Sequence, residues 1–224
     1  MPRLALLFSI SIVVSSAAET AIYPQAQKVR VAGGITSISS TSGVQGSDKA
    51  DPEAMALLTA RIRQGDPQGR ITRITIGERG DQAVAAYLQD VPAISGAYRL
   101  QITGDQLVIA GHDGRGTYYG VRSLEQLLDA DGKPATLPQV DITDWPDVPF
   151  RGAVEGFYGT PWSHENRLSL IRFFGKHKLN TYIYGPKDDP FHSSPNWRKP
   201  YPPDEAARIH ELASASRANK VDFV

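Results

Sequence analysis

The sequence has no cysteine, no surplus of charge of either sign, and no apolar run past its first twenty residues long enough to cross a bilayer. Without a thiol there is no disulfide framework, no thiolate zinc site and no cysteine nucleophile, although the compartment stays open. The 24 Lys and Arg balance 24 Asp and Glu with no basic block. That argues against an electrostatic nucleic-acid binder or a polybasic membrane-surface protein. The five histidines form no metal-binding spacing. His164-Glu165-Asn166-Arg167-Leu168 begins like a zinc-protease helix, but Leu168 stands where the second histidine must be.

What is present is an ordinary globular composition, 41% hydrophobic over 224 residues, enough for one large domain or two smaller ones. The first residues read as a signal peptide. Met1-Pro2-Arg3 is a short positive start, Leu4 to Val14 is apolar, and Ser15-Ser16-Ala17-Ala18 supplies small residues for cleavage. The apolar part falls short of the roughly 20 residues of a membrane span. Residues 1–18 are therefore expected to be removed on export, giving a secreted or periplasmic chain with no membrane attachment after cleavage.

Two textures follow. Residues 22–145 alternate short β-like runs with helical ones, the pattern of a small α/β unit. Ile71 to Ile76 alternates apolar and polar residues, as a half-buried strand does. Tyr98 to Thr103 and Gln106 to Ala110 are joined by Gly104-Asp105 and predict an antiparallel hairpin. Asp51-Pro52-Glu53 predicts an N-cap, a first-turn proline and a first-turn acid, opening a helix that stops near Gly65. A second helix is predicted from Gly116 to Leu128, with Val121, Leu124, Leu127 and Leu128 on one stripe. Asp129 to Pro149, rich in Pro, Asp and Gly, reads as a connection with a boundary near Trp145 to Val148.

Residues 150–224 predict strand, helix, strand, helix, strand: Phe150 to Glu155, Ser163 to Lys176, Leu179 to Tyr184, Pro203 to Ala218, and Val221 to Val224. Short apolar strands alternating with long helices imply a parallel sheet whose functional residues follow the strand C-termini.

One glycine-rich turn tempts a different reading. Gly114, Gly116 and Gly120 follow a strand and open a helix, as a dinucleotide fingerprint does. Their spacing is one residue too long, and the strand before them is half of a hairpin where a parallel crossover is required. Gly120 is better read as permitting close packing of the helix on the sheet.

The run Arg151-Gly152-Ala153-Val154-Glu155-Gly156-Phe157-Tyr158-Gly159-Thr160-Pro161-Trp162, followed by Lys178-Leu179-Asn180-Thr181-Tyr182-Ile183-Tyr184-Gly185-Pro186-Lys187-Asp188-Asp189-Pro190, closely resembles the start of the catalytic barrel of glycoside hydrolase family eighty-four. These are the O-GlcNAcase-type β-N-acetylglucosaminidases, whose bacterial members have been called hyaluronidases. Arg198 to Pro202 and Asn219 to Phe223 continue the likeness. Residues 22–145 are similar in architecture to the small α/β domain that precedes the barrel there and in related hexosaminidases. The resemblance implies an α/β fold: a small hexosaminidase-type domain, then the first three strands of a truncated TIM (β/α)8 barrel, since 75 residues from Phe150 onward are under a third of the roughly 250 a barrel takes.

The resemblance also implies a mechanism. The 2-acetamido oxygen of the substrate attacks the anomeric carbon to give an oxazoline that water opens with retention. Two adjacent aspartates orient the acetamido group and serve as acid and base. No metal and no organic cofactor take part. Asp188-Asp189 matches the family's motif after its second strand, whereas the catalytic aspartates follow the fourth; the resemblance therefore assigns no catalytic residue to this chain and expects that pair beyond Val224. Three substrate-binding positions carry over: Gly156, whose main chain lies against the sugar; Tyr158, at the pocket floor; and Lys187, a donor to sugar hydroxyls. Glu155 is given no catalytic role and reads as structural.

The implied partner is an N-acetylglucosamine-containing glycan or glycoprotein, and the oligomeric state stays open. The competing reading is a non-catalytic carbohydrate-binding module built on Lys187, Tyr158 and Trp162. A family-twenty hexosaminidase or a dinucleotide-binding protein fits less well.

Overall fold

The computed structural model describes residues 22–46, 50–129, 136–156, 159–192 and 195–224. The signal-like segment 1–18 and Tyr158 lie outside the described residues.

The first part contains β1 (Lys28–Gly46), α1 (Pro52–Arg63), β2 (Ile71–Glu78), a single 3-10 turn at Ala85–Leu88, β3 (Tyr98–Thr103), β4 (Gln106–Gly111), α2 (Gly114–Asp129) and β5 (Thr136–Asp144). Its strands close into a barrel in the order β1-β2-β4-β3-β5. The 19-residue β1 closes it by serving two neighbours: Lys28 to Ser37 pair antiparallel with β5, and Gly43 to Gly46 pair parallel with β2.

Each helix starts where its chemistry dictates. Asp51 caps α1 by accepting from the Ala54 N–H at 3.0 Å, with Pro52 in the first turn. Leu58 and Ile62 then fall on the buried side, and in α2 the stripe Val121, Leu124, Leu127 and Leu128 is buried as its spacing predicts. These side chains meet Ile71, Ile74, Leu100, Ile102 and Ile109 of the strands in one core. Two of the glycines in question here are steric requirements. A Cβ on Gly116 would stand 2.1 Å from the Ala97 carbonyl oxygen, and one on Gly120 would stand 2.6 Å from Ile109 Cγ2.

Two strands depart from the sequence reading. The sequence pattern marks no strand at β1, and the Pro-, Asp- and Gly-rich texture of Asp129 to Pro149 hides Thr136–Asp144, which forms β5. Pro138 is tolerated because it pairs with Ile35 of β1, while β3 pairs with β5 only from Val140 onward, so one side of Pro138 needs no ladder bond. The chain leaves this sheet at Trp145.

The second part contains β6 (Gly152–Glu155), α3 (His164–Lys176), β7 (Thr181–Tyr184), α4 (Pro203–Ala218) and β8 (Asp222–Phe223). The sheet is parallel in the order β6-β7-β8, as expected for alternating strands and helices. Ser163 caps α3, accepting from the Asn166 N–H at 3.2 Å. Both helices lie on one face, where Ile171, Phe174, Tyr182, Leu212 and Val221 form a core. The opposite face carries Val154, 61% exposed, beside its register partner Ile183, with the 67% exposed Val224 following β8. Among the described residues, no helix is long and apolar enough to cross a membrane.

Candidate functional site

The loops after β6 and β7 leave adjacent parallel strands at the same end, because Glu155 and Tyr184 are register partners. The first begins with Gly156 and the second carries Lys187, Asp188 and Asp189. Gly156 is half-buried, and a Cβ there would meet only Val154 Cγ1, at 3.3 Å. Its main chain is therefore open to close approach from outside the sheet. Lys187 and Asp188 are exposed, whereas Asp189 is buried. Of the three substrate-binding positions, the structure thus brings Gly156 and Lys187 to one end of one sheet, and Tyr158 lies outside the described residues.

A buried charge cluster supports these loops. Glu155 is fully buried, and Arg167 of α3 grips it with two parallel bonds, Nε to Oε2 at 2.8 Å and Nη2 to Oε1 at 2.7 Å. The Tyr182 hydroxyl and the Trp162 N–H also donate to this carboxylate. Burial alone would raise the Glu155 pKa, but the bonds from Arg167 and Tyr182 prevail and hold it below the usual glutamate range. A carboxylate so committed is ionised and cannot serve as a proton donor. Its bond to Trp162 N instead sets the course of the loop entering α3. The same guanidinium lies 4.8 Å from the Tyr184 ring centroid.

Asp189 is equally occupied. Its Oδ2 accepts from the Tyr184 hydroxyl at 2.7 Å and the Tyr201 hydroxyl at 3.1 Å, and its Oδ1 accepts from the Phe191 N–H at 2.8 Å. Asp188 Oδ2 accepts from Gly159 N–H at 3.1 Å, tying the β7 loop to the β6 loop. Neither geometry is that of a free acid–base pair; both carboxylates order the loops between which Gly156 and Lys187 stand. Tyr184, Tyr201 and Arg167 were not singled out from the sequence. Tyr184 ends β7 and Tyr201 precedes α4; the signal at both is aromatic type alone, which packing explains equally well.

Beside these loops is a cavity of about 420 Å³ between the N-terminal turns of α3 and α4, lined among others by Trp162, Arg167, Tyr184, Asp189, Tyr201 and Arg208. Neither Gly156 nor Lys187 lines it. Among the described residues, no group of three or more His, Asp or Glu could hold a metal ion.

The glycine-rich turn proves closed to a nucleotide. Asp113 Oδ1 accepts from the N–H groups of Gly116 at 2.8 Å and Gly96 at 3.0 Å, so a carboxylate already occupies the start of α2 where a pyrophosphate would bind.

Comparisons with known proteins divide the chain at the same place as its two sheets. The family model for glycosyl hydrolase family 20, domain 2 matches residues 19–145, and the model for beta-N-acetylglucosaminidase matches residues 151–224. Protein O-GlcNAcase of Rattus norvegicus is 47% identical over 73 residues, which are 33% of this chain and 8% of that protein. The N,N'-diacetylchitobiase of Vibrio harveyi is 31% identical over 120 residues, 50% of this chain and 13% of that protein. The solved structure of CpGH84B is similar with a TM-score of 0.80 and 34% identity, over 91% of this chain and 36% of that one. The chain thus spans about a third of the solved structure and a small part of the curated relatives.

A small α/β sheet joined to a parallel strand–helix–strand run, with these likenesses, defines the hexosaminidase class of glycoside hydrolases. More particularly, the chain belongs to the glycosyl hydrolase family 20, domain 2 family through residues 19–145, and its second part is of the family eighty-four, O-GlcNAcase-like type.

Proposed function

We propose that this chain contributes the small N-terminal domain, residues 22–145, and the opening strands of a (β/α)8 barrel, residues 150–224, to an exported retaining β-N-acetylglucosaminidase. The carrying observation is that Gly156 and Lys187 follow adjacent parallel strands at one end of the sheet, inside residues 151–224, which the beta-N-acetylglucosaminidase family model matches. In this reading the Gly156 main chain and the Lys187 ammonium bind the N-acetylglucosamine unit of a glycan or glycoprotein, with Tyr158 beneath it. The acetamido oxygen of the substrate acts as nucleophile, and the aspartates that orient it and move the proton come from residues outside this chain. The exposed Val154, Ile183 and Val224 support the barrel reading, since a parallel sheet is normally covered on both faces. Export rests on the pattern of residues 1–18.

Hydrolysis of an aryl N-acetylglucosaminide tests this reading. Residues 22–224 replacing the matching segment of CpGH84B are expected to give an active chimera, in which Lys187→Ala lowers kcat/KM by about tenfold or more through the lost hydrogen bonds of a charged donor. Residues 1–224 alone are expected to give no turnover. Turnover by the short chain, or an active chimera indifferent to Lys187→Ala, overturns the assignment. Saturable binding of N-acetylglucosamine by the short chain would favour a carbohydrate-binding module.

A further inference from the structure

Lys178 and Lys220 share a backbone conformation that lysine seldom adopts. Their φ angles are 61° and 57°, and among the described residues they are the two non-glycine positions with positive φ. Each stands one residue beyond a helix C-cap, His177 for α3 and Asn219 for α4. Each is followed by the same closing bond, Leu179 N–H to the Phe174 carbonyl and Val221 N–H to the Ser216 carbonyl, both at 2.9 Å. This is the left-handed helix ending that ordinarily selects glycine, because an L-residue there is strained.

The local sequences also repeat: His177-Lys178-Leu179-Asn180 precedes β7, and Asn219-Lys220-Val221-Asp222 leads into β8. Both lysines turn away from solvent and reach across to the small N-terminal domain. Lys178 Nζ donates to Asp144 Oδ2 at 2.7 Å and to the Pro24 carbonyl at 3.3 Å, with the Tyr98 hydroxyl at 3.4 Å. Lys220 Nζ forms ion pairs with Asp51 and, at 2.8 Å, with Glu53, and lies 5.9 Å from the Tyr118 ring centroid. A residue serving only to end a helix would leave its side chain in water. These two are largely buried, and each meets a carboxylate of the other sheet's domain.

We propose that Lys178 and Lys220 are a repeated pair of docking pins. Successive strand–helix units end their helices in a left-handed turn occupied by lysine, and the turn directs each ammonium into an acidic socket of the N-terminal domain. Together the pins fix how the β6-β7-β8 sheet sits on that domain. The proposal concerns the join between the two parts and stands apart from the glycosidase reading.

Glycine substitution separates a pin from a cap by the sign of its effect. Lys178→Gly and Lys220→Gly relieve the backbone strain and remove the side chain. If the lysines only end helices, each glycine raises the thermal midpoint. If they are pins, each lowers it, and in the double variant the amides of residues 152–223 exchange with deuterium earlier than those of residues 28–144. Should Lys178→Gly fail to fold, Lys220→Gly with Glu53→Gln completes a cycle at a partly exposed socket, where the two losses are expected to be less than additive. A raised or unchanged midpoint, additive losses, or exchange of both parts in step overturns the proposal.

Discussion

Arg167 holds Glu155 in a two-bond grip at 2.7 and 2.8 Å at a place where the carboxylate has no contact with solvent. Removing the cation leaves the charge stranded. Arg167→Met is therefore expected to cost about 3–5 kcal/mol at neutral pH, read by urea unfolding. Because the folded pKa of Glu155 is depressed, its contribution is complete above the unfolded value of about 4.3 and is lost as pH falls through the lower folded value. In Arg167→Met burial is no longer outweighed and lifts the folded pKa of the carboxyl, so protonation relieves the stranded charge and the variant's deficit relative to the parent shrinks as pH falls through about 4.3. An unchanged acid limb would contradict the assignment.

Gly116 and Gly120 differ in what a methyl group would strike. At Gly116 it is the Ala97 carbonyl, which the backbone fixes; at Gly120 it is a methyl of Ile109. Gly116→Ala is expected to destabilise by about 3 kcal/mol or more, and Gly120→Ala by about 1–3 kcal/mol, typical of overpacking. Ile109→Ala should recover part of the second loss and none of the first, as thermal unfolding of the double variants would reveal.

NAD is expected to leave the thermal midpoint unchanged, since Asp113 already fills the start of α2. Asp113→Ala should destabilise the helix by about 1 kcal/mol without creating nucleotide binding. A midpoint that climbs with NAD concentration would reverse this conclusion.

Tyr119 and Tyr201 titrate late. Burial pushes Tyr119 up to about 12 against the opposing pull of Arg151, and burial together with the Asp189 charge takes Tyr201 to about 12. A tyrosine with a raised folded pKa contributes stability that is intact below the unfolded value of about 10 and is lost as pH rises toward the folded one. Alkaline unfolding is thus expected between about pH 10 and 12. Asp189→Asn should bring the phenolate transitions of both Tyr184 and Tyr201 down, seen by ultraviolet absorbance, while leaving that of Tyr119 in place.

The parts legible in the sequence are those fixed by local chemistry. Gly104-Asp105 marked the β3-β4 hairpin, Asp51 and Ser163 marked two helix starts, and the α4 limits fell where the pattern put them. β1 escaped because KVRVAGGITSISSTSGVQG is rich in Gly, Ser and Thr and owes its extension to partners about a hundred residues away in β5. β5 escaped because its proline reads as a break until its one-sided pairing is known. At the site, family likeness points to Gly156 and Lys187, and the register puts them after adjacent strand ends. The Arg167–Glu155 grip was not legible, because residues 12 apart on different elements show no spacing signal.

The two-sided pairing of β1 also governs the order in which the chain can mature during synthesis. Its first half finds a partner only after Asp144 has left the ribosome, so the barrel must stay open while its other four strands wait. Lys178 follows within 34 residues and meets that last strand at Asp144. The closing strand thus becomes the landing place for the next segment to emerge, and completion of the first part is coupled to arrival of the second.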